Sequence, residues 1–179
     1  MKLTKETALI ETILFLEPEP IDANTLARIS LLSTDIVLEA IARLQQRYED
    51  TESGLEIAEI AGGFQIIPKK DLWVHLKDRY GKKNENILSK AALETLSIIA
   101  YSQPVTRSEI ASIRGVSPDG MIKLLLSKDL IRQVGKKDTP GKPVQYGTTA
   151  DFLKAFRLAS IADLPRLDDL SEERFELEG

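Results

Sequence analysis

"GKKDTPGKPVQYGTT", residues 135–149, is the stretch on which the fold turns. A glycine followed at a distance by Gly-Lys looks like a loop that cradles a phosphate. Such a loop needs four residues between its glycines, then a lysine and a hydroxyl that ligates magnesium. Here five residues separate Gly135 from Gly141, and Pro143 stands where the hydroxyl belongs. The loop also leads into "VQYGT", a strand pattern, whereas a phosphate site depends on the N-terminus of an ensuing helix. The stretch therefore reads as a β-hairpin, "LIRQV" and "VQYGT", turned by Pro-Gly. Thr148 is expected to cap a closing helix, "TADFLKAFRL".

Upstream of the hairpin the signals are helical. Ser89 can cap a helix whose Leu93, Leu96, Ile99 and Ala100 recur at helical spacing. Gln103-Pro104-Val105 is extended, because a residue before proline avoids the helical region. Thr106 and Glu109 form a capping box for "RSEIASIR". Gly115 ends that helix, and Ser117-Pro118 supplies a cap and a proline for a third helix expected to bury Met121, Leu124 and Leu125. Three helices followed by a hairpin make a winged helix-turn-helix.

A shift of 84 residues lays the same plan on the first half of the chain. Leu9 falls on Leu93, Leu14 on Ile98 and Phe15 on Ile99, but apolar matches between amphipathic helices are cheap. Pro20-Ile21 on Pro104-Val105, and Ser33-x-Asp35 on Ser117-x-Asp119, are better evidence of duplication. "LEIAEIAGGFQIIP" is a hairpin with Gly62-Gly63 at its turn, and "KDLWVHLKDRY" is a closing helix. The expected fold is thus mainly α with small β-hairpins (α+β), two tandem winged helix-turn-helix domains. Residues 1–80 form the first domain, 81–88 a linker and 89–165 the second. Residues 166–179 form an acidic tail of disordered composition.

Charge follows the same division. Residues 1–80 carry 9 Lys and Arg against 14 Asp and Glu, residues 81–164 carry 13 against 8, and residues 165–179 carry 2 against 6. Such asymmetry points to modules with different partners. The chain has no cysteine, which excludes disulfides, thiolate ligands and a cysteine nucleophile. No apolar run approaches the ~20 residues of a membrane span, and the first residues lack a signal-peptide pattern, so a cytoplasmic location is expected. The single histidine, His75, has no nucleophile motif beside it, and Asp168-Asp169 and Glu172-Glu173 are adjacent pairs in the tail. Trp73 reads as packing for its own domain. No enzyme activity, cofactor or metal is expected.

Helix-turn-helix proteins lay the third helix in the major groove, but these helices suit that poorly. The first offers Thr34, Asp35 and Glu39 ahead of Arg43, and carboxylates repel phosphates. The second offers Asp119, Gly120 and Lys123, with no Arg, Asn or Gln poised for bidentate base contacts. The second wing is basic, with Arg132, Lys136, Lys137 and Lys142 against Asp138. It can serve weak, non-specific contact with a DNA backbone, a solvated tip, or a rim that attracts an acidic protein segment.

"LSKAALETLSIIAYSQPVTRSEIASIRGV" (residues 88–116), "LIRQVGKKDTPGKPVQYGTTADFLKAF" (130–156) and "LASIADLP" (158–165) together resemble segregation and condensation protein B. That family supplies the winged-helix accessory subunit of the bacterial SMC–kleisin condensin. "GGFQIIPKK" is the closest echo in the first half. The family more often has arginine where Lys136 or Lys137 and Lys142 stand, and lysine does not replace arginine in forked contacts. The resemblance implies a non-enzymatic, nucleoid-associated homodimer, joined through its N-terminal domains, that docks on the kleisin (segregation and condensation protein A) and reaches the SMC ATPase through it. Tyr101, Arg107, Arg114, Val116 and Tyr146 are the expected kleisin-docking residues, since arginine and tyrosine are favoured anchors. Each also has an internal reading, with Tyr146 packing beneath the wing and Arg114 satisfying helix-end carbonyls. The alternative function is a dimeric winged-helix DNA-binding transcriptional regulator.

Overall fold

Apolar residues at helical spacing, punctuated by caps and prolines, give a chain that divides into two compact units. The computed structural model describes residues 4–49, 52–80 and 88–165. The first unit spans Met1–Gly81 with Arg157–Ser160, and the second spans Lys82–Phe156 with Ile161–Gly179. The expected linker lies outside the described residues except for Leu88, which is 3% exposed. The acidic tail also lies outside them.

The first unit runs α1 (Thr4–Leu16), α2 (Ala23–Ser30), α3 (Thr34–Tyr48), β1 (Leu55–Ile60), β2 (Gly63–Pro68) and α4 (Lys70–Tyr80). Asp22 caps α2 by accepting from the backbone of Asn24 and Thr25, and Ser33 caps α3 by accepting from Ile36. Ile10, Leu14, Leu26, Val37, Ile41 and Leu44 meet in one core, each full burial stabilising by roughly 1.5–3 kcal/mol. β1 and β2 pair antiparallel from Leu55↔Pro68 to Ile60↔Gly63. Their turn residues are Ala61 and Gly62, at φ 51° and 75°, one position earlier than the sequence predicts. Two positive φ values define the hairpin turn whose twist suits the strands. Gly63 is needed for another reason: a Cβ there would sit 3.0 Å from the Ile21 nitrogen and the Pro20 carbonyl carbon.

The second unit runs α5 (Lys90–Ser102), β3 (Val105–Thr106), α6 (Arg107–Arg114), α7 (Asp119–Ser127), β4 (Ile131–Lys136), β5 (Val144–Thr148) and α8 (Ala150–Ala155), then a 3-10 turn, Ile161–Asp163. Ser89 caps α5, Thr106 and Glu109 form the capping box of α6, and Gly115 closes α6 at φ 72°. Three details differ from the sequence reading. Pro118, not Ser117, occupies the position before α7, and the Ser117 hydroxyl bonds the Asp119 carboxylate instead of a backbone N–H. α7 buries Ile122 and Leu125, leaving Met121 and Leu124 half-buried. Thr149, one residue after the expected cap, accepts from Phe152 to open α8, because Thr148 is still pairing in β5.

Each unit is a winged helix-turn-helix, and each adds a strand segment that the sequence reading left as a link. Val105 pairs with Tyr146, giving the sheet order β3-β5-β4. Ile21 bridges Phe64 in the same way. The 84-residue offset thus holds through Ile21 and Val105 and through α2 and α6. It fails for the first helices, where Ile10, Ile13 and Leu14 do the work of Leu96, Ile99 and Ala100. The link after α1, Glu17 to Pro20, is two residues longer than its counterpart at Gln103-Pro104, so Phe15 faces outward while Ile99 is fully buried.

Candidate docking surfaces

α1 is apolar on two sides. Thr7, Ile10, Ile13 and Leu14 face the core. Ala8, Leu9, Thr12, Phe15 and Leu16 are exposed at positions that recur every three or four residues, which places them on one outward stripe. Phe15 is 74% and Leu16 71% exposed. The Thr12 hydroxyl donates to the Ala8 carbonyl at 2.8 Å, which turns its hydrogen bonding back onto the helix. Core packing needs only one stripe, so the second has no role inside the unit. One turn before Phe15 on α1, Glu11 accepts from Tyr48 and Arg47 of α3. Burial, and then that carboxylate, push the Tyr48 phenol up to about 12.

In the second unit the end of α6, its turn and the start of α7 form another surface. Arg107 forks onto Asp119 with both nitrogens, the Nη2 bond measuring 2.6 Å. That hydrogen bond is the main reason the Asp119 carboxyl falls to about 2. Lys137 of the wing reaches Glu109. Its hydrogen bond leads the causes that bring Glu109 to about 2, with the Thr106 amide and hydroxyl adding to it. The N-terminus of α7, where a DNA reader would place its contacts, therefore presents an acid already clasped by an arginine. Ile113, 60% exposed, and Val116, 57% exposed, lie beside this clasp in sequence.

The five expected docking residues do not converge on one exposed patch. Arg107 and Arg114 lie on one face of α6 seven residues apart, about 10 Å along its axis. Arg107 is exposed, but the Arg114 side chain is only 6% exposed and pairs with Glu94 at 3.4 Å, leaving its buried Nε without a partner. Arg114 therefore meets a carboxylate of α5 instead of helix-end carbonyls. The Tyr101 hydroxyl donates to the Pro165 carbonyl at 2.6 Å. Tyr146 is half-buried in β5 between Val105 and Gln133. Val116 is open. Ile113 and the outward stripe of α1 escaped the sequence reading. A count of apolar positions on α1, too many for a single stripe, is the signal that could have found the latter.

The four wing residues also differ among themselves. Arg132 and Lys136 are exposed on β4, and Lys142 sits in the loop at φ 38° beside Gly141 at 85°. Lys137 is occupied by Glu109. His75 is exposed on α4, and Trp73 lies under the Arg157 guanidinium, 5.6 Å from its ring centre, within the first unit. Among the described residues no helix is long and apolar enough to cross a membrane.

Residues 8–167 match the family described as Segregation and condensation complex subunit ScpB. The chain is 41% identical to segregation and condensation protein B of Desulforamulus reducens, over 92% of this chain and 90% of that one. It is 39% identical to the protein of that name from Clostridium tetani, over 93% and 88%. Among solved structures, a dimer of the ScpB N-terminal domain complexed with ScpA peptide is 26% identical, covering 47% of this chain and 99% of that one, at a TM-score of 0.43.

Proposed function

The chain belongs to the family of segregation and condensation complex subunit ScpB, and on that premise we propose that it is a non-catalytic subunit of an SMC–kleisin condensin. It acts in chromosome condensation and segregation, in the cytoplasm and on the nucleoid. Two copies join through the first unit, bind the kleisin, segregation and condensation protein A, and reach the SMC ATPase through it. The observation that carries this protein-docking reading is the outward apolar stripe of α1, which suits burial against another protein surface far better than contact with water or phosphate. The acid clasped at the start of α7 supports the same choice over a DNA-reading regulator.

The kleisin docks on the second unit. Arg107 and Val116 meet it directly, with Ile113 adding apolar area and Tyr146 lying at the edge of the wing. Tyr101 and Arg114 are tied within the unit instead, to the Pro165 carbonyl and to Glu94. A forked arginine beside exposed aliphatic groups has the make-up of an interface anchor. Arg132, Lys136 and Lys142 add weak, non-specific contact with a DNA backbone. The test is calorimetric titration of the purified kleisin mid-region into the chain carrying Arg107→Ala and Val116→Asp. Two lost anchors at about 1 kcal/mol or more each weaken the complex at least about tenfold. Unchanged affinity in a variant that melts normally removes this surface from the interface.

A further inference from the structure

The corner between the second and third helices occurs twice, and its two copies can be laid on each other residue by residue. Residues 27–35, "ARISLLSTD", fall on residues 111–119, "ASIRGVSPD", with Ala, Ile, Ser and Asp shared at the same places. The turns close alike. The Leu31 amide donates to the Ala27 carbonyl with Leu31 at φ 58°, and the Gly115 amide donates to the Ala111 carbonyl with Gly115 at φ 72°. A left-handed residue that ends a helix is usually glycine, because a Cβ there crowds the following carbonyl. The second unit has that glycine, whereas the first has a leucine. Nothing in the first unit offsets the strain, since the Leu31 side chain is 90% exposed. Ile29 before it and Leu38 after it are 48% and 44% exposed, while Leu32 packs against the core. Backbone strain and an unburied apolar side chain on one residue point to a use outside the fold.

The charges at the corner say what fits it. In the second unit Asp119 is clasped by Arg107. Their counterparts in the first unit are Asp35 and Ala23, so the carboxylate is kept and the arginine is lacking. Among the described residues exposed Asp35 has no ion-pair partner. Glu39, one turn further along α3, is taken by Arg43 at 2.7 Å. Arg28 stands in the last turn of α2, where a cation suits the carbonyls that the helix end leaves open. The corner is therefore one free carboxylate among three exposed aliphatic side chains. Such a surface repels phosphate and wants a guanidinium.

We propose that this corner of the first unit is a second docking site for the kleisin, taking a segment that sets an arginine on Asp35 and apolar side chains on Ile29, Leu31 and Leu38. The inference rests on the kleisin reading above and adds to it a contact outside the second unit. The incoming arginine plays towards Asp35 the part that Arg107 plays towards Asp119, a charge-assisted fork. Leucine in the left-handed cap costs the free chain stability and becomes useful only when a partner covers it, the common trade at a functional surface.

Calorimetric titration of the purified kleisin mid-region into the full chain carrying Leu31→Gly, with a thermal melt of the same protein, tests this. Glycine relaxes the backbone and removes the anchor. The melting temperature is expected at or above that of the parent, while the affinity falls at least about tenfold for the loss of one leucine burial. Asp35→Asn lowers the affinity too and weakens its dependence on salt, because one ion pair is gone. Unchanged affinity in Leu31→Gly overturns the proposal, and so does a melt several degrees lower, which returns Leu31 to the fold of its own unit. A salt dependence indifferent to Asp35→Asn overturns the arginine as the recognised group. The Arg107→Ala, Val116→Asp chain separates the two claims. If it loses the kleisin while Leu31→Gly keeps it, the docking reading stands and this inference falls. A parent chain that takes up no kleisin overturns that reading, and this inference with it.

Discussion

Replacing Phe15 by alanine isolates the outward stripe of α1 from everything else in the molecule. Full burial of a phenylalanine is worth about 1.5–3 kcal/mol, and this side chain is 74% exposed in the single copy. Roughly three quarters of that gain, about 1–2 kcal/mol, is therefore still to be realised by association. A two-fold interface uses the same residue twice, so the dimer loses about 2–4 kcal/mol, and its Kd weakens by about 30- to 700-fold at 1.4 kcal/mol per decade. The monomer loses little, because the side chain touches water more than protein. Sedimentation velocity over a dilution series gives the Kd, and a thermal melt of the diluted variant checks the fold. A Kd that stays within a few-fold of the parent refutes the stripe as the dimer face. A melt that falls steeply places Phe15 in the fold of a single unit instead.

Thr106→Ala removes one hydroxyl that serves both the Glu109 amide and the Glu109 carboxylate. It should destabilise the second unit by about 1 kcal/mol, which calorimetry reads as a melting shift of about 4–8 °C for a domain of this size. Gly115→Ala places a Cβ at φ 72°, where space is open but the backbone is strained; a loss of about 1–2 kcal/mol is expected in urea unfolding. Asp119 and Glu109, held at about 2 in the fold, take up protons more readily once unfolded, so their contribution is complete above about pH 4.5 and fades as pH falls towards 2. An acid titration followed by circular dichroism should show that loss, and Asp119→Asn should flatten its lower part. Docking of the kleisin region should weaken at least about tenfold in the Arg107→Ala, Val116→Asp chain.

The architecture was legible because punctuation is local chemistry. Ser89, the Thr106–Glu109 box, Gly115 and the Pro-Gly of the wing each act through neighbours a few residues away, and the structure places each where the sequence does. Errors of a single residue arose where strand pairing decided: Gly63 pairs with Ile60 and leaves the turn to Ala61 and Gly62, and Thr148 pairs with Ile131 and leaves the cap to Thr149. The equation of Phe15 with Ile99 failed for a different reason. A link two residues longer rotates the helix by about 200° at 3.6 residues per turn, which a fixed offset between the two copies does not reveal. β3 was invisible because two residues carry no period, and its pairing with Tyr146 bridges forty residues of chain. The candidate site was legible only in part. Arginine and tyrosine identify themselves as anchors by type, whereas the partners that tie down Arg114 and Tyr101, Glu94 and the Pro165 carbonyl, are set by packing between distant segments.

The most direct test of the central claim is the molar mass of this chain mixed with its purified kleisin, measured by light scattering as the mixture leaves a sizing column at physiological salt. One co-eluting species heavier than the dimer alone is expected, containing both proteins and unchanged by added DNA. Separate elution of the two proteins, together with tight and sequence-selective binding of a duplex by this chain alone, would contradict it.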